Sequence, residues 1–69
     1  MDSKITAENI LKALNGREKG LTVDGIAWDI DVDNNHPNIK AIRKILTRLL
    51  RAKKISIYNF SSETVYFTK

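Results

Sequence analysis

Three stretches of the chain repeat apolar residues at intervals of three and four, and a fourth alternates them at every second position. Ala7, Ile10, Leu11 and Leu14 share one helical face, and Val23, Ile26, Ala27 and Ile30 share another. Ile39, Ile42, Ile45, Leu46, Leu49 and Leu50 form the longest stripe. The spacing predicts a first helix from Ala7 to Asn15, a short second helix after Thr22, and a third that starts at His36-Pro37 and ends near Ala52. Local chemistry agrees with these bounds. Thr6 and Thr22 are N-caps, Ile5 and Ile10 make a hydrophobic staple, and Asn15-Gly16 offers a left-handed residue to end the first helix. Pro37 falls in a first turn, where its missing N–H costs nothing. Gly25 weakens the second helix by about 1 kcal/mol relative to alanine, so that helix depends on tertiary packing.

Beyond Lys53-Lys54 the period becomes two, which predicts a β-hairpin. If Ile57 pairs with Phe67, then Ile55, Ile57, Val65 and Phe67 lie on the helices, and Tyr58, Phe60 and Tyr66 share the opposite face. That register needs a loop of three or five residues around Ser62. Leu21 is placed in a short edge strand of its own.

At 69 residues the chain is a single domain, 1–69. A domain of this size buries only about 60% of the surface its unfolded chain exposes, which leaves little volume for an enclosed substrate pocket. The expectation is a protein that is not an enzyme and has neither cofactor nor small-molecule ligand. With no cysteine, disulfides and thiolate metal sites are excluded. Neither an apolar run of membrane-spanning length nor a secretion signal is visible, so the reading is an intracellular protein, cytoplasmic and nucleoid-associated or nuclear.

Charge changes this picture, because the net +4 is unevenly divided. Met1 to Asn38 holds four basic and seven acidic residues, net −3, whereas Ile39 to Lys69 holds eight basic and one acidic, net +7. On a helical wheel Lys40, Arg43, Lys44, Thr47, Arg48 and Arg51 fall in an arc of roughly 140° opposite the apolar stripe. No acidic residue interrupts the sequence between Lys40 and Lys54. An ordinary solvated helix face usually mixes signs, so the pattern favours a polyanion-binding surface. Asn35, His36, Lys40, Arg43, Lys44 and Thr47 are the candidate base-reading residues, and Arg48, Arg51, Lys53 and Lys54 the candidate phosphate contacts.

Other constellations are weaker. Asp29, Asp31, Asp33 and Asn35 imitate the start of a calcium loop, but Asn34 stands where glycine is needed and Lys40 where a bidentate glutamate is needed. They read as a polar turn whose aspartates cap helix ends, and no metal site is expected. His36 has no partner pattern for a triad or a zinc site. Trp28 lies off the apolar face of the second helix; the expectation is that it caps the core edge or covers a loop, with a partner contact as the alternative. Tyr58, Phe60 and Tyr66 read as cross-strand packing or, with Trp28, as a candidate partner or dimer interface.

The order helix, short strand, helix, turn, helix, hairpin resembles the winged helix-turn-helix superfamily of DNA-binding proteins. The resemblance is carried by ILKAL (Ile10 to Leu14), LTVDGIAWDIDV (Leu21 to Val32) and IKAIRKILTRLLRAKKI (Ile39 to Ile55), followed by the hairpin. It implies an α+β fold, a three-helix bundle with a C-terminal two-stranded β-hairpin wing, in which Ala27 lets two helices approach and Val32 plugs the turn. It also implies a small transcriptional regulator that inserts its third helix into the major groove of double-stranded DNA; a homodimer is expected of such a regulator, because one short helix reads too few base pairs for selectivity. The chain departs from the pattern in a longer connection between Val32 and Ile39, and in a wing tip, Ser61-Ser62-Glu63, without lysine or arginine. The rival expectation is a winged-helix protein-interaction module within a larger complex.

Overall fold

A computed structural model describes residues 3–68 of the chain. Three helices, α1 (Ala7–Asn15), α2 (Val23–Asp29) and α3 (His36–Arg51), precede an antiparallel hairpin of β1 (Ile55–Phe60) and β2 (Glu63–Thr68). Each helix is opened by a side-chain cap. Thr6, Thr22 and Asn35 accept hydrogen bonds from the backbone N–H of Asn9, Gly25 and Asn38 at 3.1, 3.1 and 3.0 Å. None of the connecting aspartates caps a helix start, and of the helix-end role expected for them Asp31 takes a part, in the closure of α2. Asp31 also pairs with Lys4 at 3.0 Å and Asp29 with Arg17 at 3.4 Å, tying the α2–α3 connection and the end of α2 back to the N-terminal part of the chain.

The apolar stripes meet in one core. Ile10, Leu14, Ile26, Ile42 and Leu46 are its fully buried large side chains, with Ile5, Ala13, Ala27, Ile30, Leu49 and Ile55 around them. Val32 packs against this core, and its N–H donates to the Ala27 carbonyl at 3.0 Å. Among the described residues no helix is long and apolar enough to cross a membrane.

Two helix ends use left-handed residues that are not glycine. After α2, Asp31 (φ 60°) donates to Trp28 and Val32 to Ala27; after α3, Lys53 (φ 60°) donates to Leu50 and Lys54 to Leu49. Both are Schellman-type closures, in which the last carbonyls are satisfied by the residues just past the helix. Gly16, expected to provide such a turn after α1, is instead right-handed at φ −78°. Gly20 is the glycine with positive φ, at 82°, and it carries the chain into Leu21.

Leu21 forms the expected short bridge, exchanging backbone hydrogen bonds with Tyr66 at 2.9 and 2.8 Å. This sets the hairpin register and corrects the sequence expectation. Ile57 lies opposite Tyr66, not Phe67, and Phe60 lies opposite Glu63 across a two-residue turn, Ser61-Ser62, with Ser61 at φ 57°. Tyr66 therefore shares the inner face with Ile55 and Ile57 and packs on the core. Val65 and Phe67 move to the outer face with Tyr58 and Phe60. A register shifted by one residue exchanges the two faces of a strand.

Gly20 is required by this arrangement, because a Cβ there would lie 2.5 Å from the Tyr66 carbonyl oxygen and 2.6 Å from Val65 Cγ1. Gly20→Ala is expected to lower stability by more than ~1 kcal/mol, from the positive φ and the clash with backbone. Gly16→Ala, with only ordinary contacts at 3.7 Å, is expected to be neutral or to stabilise by up to about 1 kcal/mol. Thermal denaturation of the two variants checks the contrast.

Candidate nucleic-acid interface

The site is built on α3, whose two sides are chemically opposite. Ile42, Leu46 and Leu49 are locked into the core. Lys40, Arg43, Lys44, Thr47, Arg48 and Arg51 are consequently carried to the exposed side, and the α3 closure leaves Lys53 and Lys54 exposed next to them. Sixteen residues make a rod roughly 24 Å long, suited to lying in a groove about 12 Å wide. Both ion pairs formed among the described residues belong to the N-terminal half, and none involves these seven cations.

The basic ridge has two unlike flanks. On one, α3 borders an open groove shared with the start of α2 and the hairpin, lined by Thr22, Val23, Asp24, Ile39, Arg43, Thr47, Ser62, Glu63, Thr64 and Tyr66. Asp24 and Glu63 make this flank less attractive to phosphate. Thr47 is partly engaged there, its hydroxyl donating to the Arg43 carbonyl at 3.0 Å. The other flank is a shallow strip of Pro37, Lys40, Ala41, Lys44, Ile45 and Arg48, with three cations and no carboxylate. Asp24 could not be connected with α3 from sequence, since only the α2–α3 crossing brings it to the Arg43 side.

Asn35 and His36 sit at the start of α3, both exposed. The carbonyl oxygen of the Asn35 side chain is committed to the cap, so its amide N–H groups are the free part. Asn38, which sequence reasoning passed over, is buried, and its side chain donates to the Asp33 carbonyl at 2.9 Å. It thereby fixes the loop that delivers Asn35 and His36. The Asn-x-x-Asn spacing at a helix start is the signal that could have marked it.

The aromatic residues separate. Trp28 is 85% exposed and therefore neither caps the core nor covers a loop, contrary to the structural expectation. It borders a shallow depression with Asp24, Asp31, Val32, Asp33 and Asn34. Tyr58 and Phe60 are exposed and adjacent, their rings tilted with centroids 6.3 Å apart. Tyr66 leaves this group for the inner face, as the register requires.

No protein-family model matches the chain, and no curated protein matches it. Among solved structures it is similar to part of human N-acetylserotonin methyltransferase, crystallised in complex with SAM. The TM-score is 0.72 over 91% of this chain, at 12% identity. The fold is a winged helix. At that identity the likeness is one of fold, and the chain spans only 17% of the methyltransferase chain. Within the winged helix, α2 and α3 are the helix-turn-helix, the hairpin is the wing, and the Leu21 bridge is the third strand of its small sheet.

Lys53 occupies a left-handed position that glycine would hold without strain. Lys53→Gly is expected to raise stability by about 1 kcal/mol. If Lys53 belongs to the anion-binding surface, the same variant binds duplex DNA more weakly. Denaturant unfolding and DNA binding of this variant should thus move in opposite directions.

Proposed function

We propose that this winged helix binds double-stranded DNA by inserting α3 into the major groove, as a small transcriptional regulator. The observation that carries the reading is the surface of Lys40, Arg43, Lys44, Arg48, Arg51, Lys53 and Lys54, all exposed, with no acidic residue among them in the chain and no ion pair to one among the described residues. Lysine and arginine recognise phosphate through charge and hydrogen bonds, and arginine can also grip the O6 and N7 of guanine. On this reading Asn35, His36, Lys40, Arg43, Lys44 and Thr47 face base edges, while Arg48, Arg51, Lys53 and Lys54 hold the backbone. The acidic Asp24 and Glu63 repel phosphates from the wing-side flank and leave them to the Arg48 side of the ridge. The wing tip then contributes little to the grip.

A second reading, a protein-interaction module, is favoured by Trp28, an aromatic side chain left 85% exposed beside three carboxylates. A winged helix also forms a minor part of an enzyme chain in the methyltransferase, so the fold alone does not choose between the two readings.

Titration with duplex DNA across a salt series separates them. If about five phosphates are neutralised, log K falls against log salt with a slope of roughly −4 to −5. Arg43→Ala with Lys44→Ala weakens binding, and Arg48→Ala or Arg51→Ala, each removing a phosphate contact, makes the slope shallower by about 1. No binding at low salt, or a flat response, contradicts the proposal. Glu63→Lys is expected to tighten binding and to steepen the slope by up to about 1, because it converts a repelling wing tip into a phosphate contact.

A further inference from the structure

The β1 edge of the sheet is without a backbone partner along its whole described length, and it lacks the usual protection. On one side, the Leu21 bridge covers β2 at its outward-facing Tyr66, after which the chain turns directly into α2. On the other side, β1 pairs only with β2, and no described residue bonds to its outer edge. Because Tyr66 exchanges its backbone hydrogen bonds with Leu21, its opposite number Ile57 turns its own N–H and C=O away from β2. By the same alternation Asn59 and Ile55 also point outward; Ile57 and Asn59 are exposed, whereas Ile55, 3% exposed, starts the row at the margin of the core.

Exposed edges are normally blunted by lysine, proline, a bulge or very short length. The six residues of β1, Ile-Ser-Ile-Tyr-Asn-Phe, contain no charge, proline or glycine, and they pair with β2 without a bulge. Among the described residues, three of the four large exposed apolar side chains, Ile57, Tyr58 and Phe60, belong to this one strand.

We infer that β1 pairs antiparallel with β1 of a second copy, across a two-fold axis at Ile57. The outward-facing residues fix that register: Ile57 meets Ile57 of the second copy, and Ile55 meets Asn59. Three such pairs exchange about six backbone hydrogen bonds. On the inner face the two half-exposed Ile57 side chains cover each other; on the outer face Tyr58 lies over Ser56 of the second copy.

Charge suits a second copy as the occupant. The uncharged strand is preceded by Lys53-Lys54, and its far end lies beside Glu63, the first residue of β2. Antiparallel pairing brings the cationic end of each copy to the acidic end of the other, with Lys54 directed across Phe60 towards Glu63. The contact uses the same surface on both molecules and is closed by its two-fold axis, so this pairing stops at the dimer. The result is one continuous sheet carrying two copies of α3. The inference is independent of DNA binding, since it concerns the free protein.

Sedimentation equilibrium without DNA, over a concentration series, together with amide hydrogen exchange, tests the pairing. The expected species has twice the 7.9 kDa mass of one chain. In it the Ile57 and Asn59 amides exchange at least roughly 100-fold more slowly than in a monomer, where these exposed residues turn their N–H groups to water. Ile57→Lys places two like charges at the axis and is expected to give a folded monomer with those amides unprotected. Asn59→Pro, which removes an outward N–H and keeps the backbone pairing with β2 while losing the bond its side chain accepts from the Thr64 hydroxyl, provides a second variant with the same expected result. Trp28→Ala should leave the dimer intact. A wild-type monomer at all concentrations, open-ended growth, or a dimer that survives both β1 variants overturns the inference, as does a dimer lost in Trp28→Ala.

Discussion

The burial of one side of α3 is the constraint on which the rest of the molecule depends. Ile42, Leu46 and Leu49 fill the space between α1, α2 and the start of β1, and a 69-residue chain has no second core in which they could be accommodated. Once they are buried, the helical repeat leaves no freedom for the intervening residues. Lys40, Arg43, Lys44, Arg48 and Arg51 must point outward, and their mutual repulsion is tolerated because each is exposed and screened by water. Packing thus converts a sequence bias into a surface of defined length and direction. The acidic half of the chain spends two of its carboxylates on Lys4 and Arg17 rather than on α3.

A second, smaller constraint governs the sheet. The Leu21–Tyr66 bridge attaches the hairpin to the start of α2, turns Tyr66 inward and brings Gly20 against Val65 and Phe67. This bridge decides which side of α3 the wing occupies, and so which flank of the ridge receives Glu63. It also decides which backbone groups of β1 remain open. The electrostatic asymmetry of the α3 face and the free strand edge therefore have a common origin in two backbone hydrogen bonds.

The helices were legible in the sequence because their buried and exposed positions differ sharply in chemistry. The α3 stripe has isoleucine and leucine on one side and lysine and arginine on the other, so only one rotation of that helix is acceptable. The hairpin lacked this contrast. Ile57 and Tyr66 on one face, and Tyr58, Val65, Phe60 and Phe67 on the other, are all apolar or aromatic, so alternation could not select a register. Ser61-Ser62 also lacks the Asn-Gly type of signature that announces a two-residue turn. The exposure of Trp28 was legible as a position on the wheel, but whether another element covers that position is a tertiary fact. Asn38 and Asp24 acquire their significance only through contacts made across the α2–α3 connection and the inter-helix groove.

The central claim is that the outward side of α3 is a nucleic-acid surface. Its most direct test is the map of backbone amide shifts during titration of the protein with a short duplex. The account predicts the largest changes from Asn35 to Lys54, strongest on the Lys40, Lys44 and Arg48 flank, with Trp28 and α1 little affected. Changes centred on Trp28 and the neighbouring aspartates, or none along α3, would contradict it.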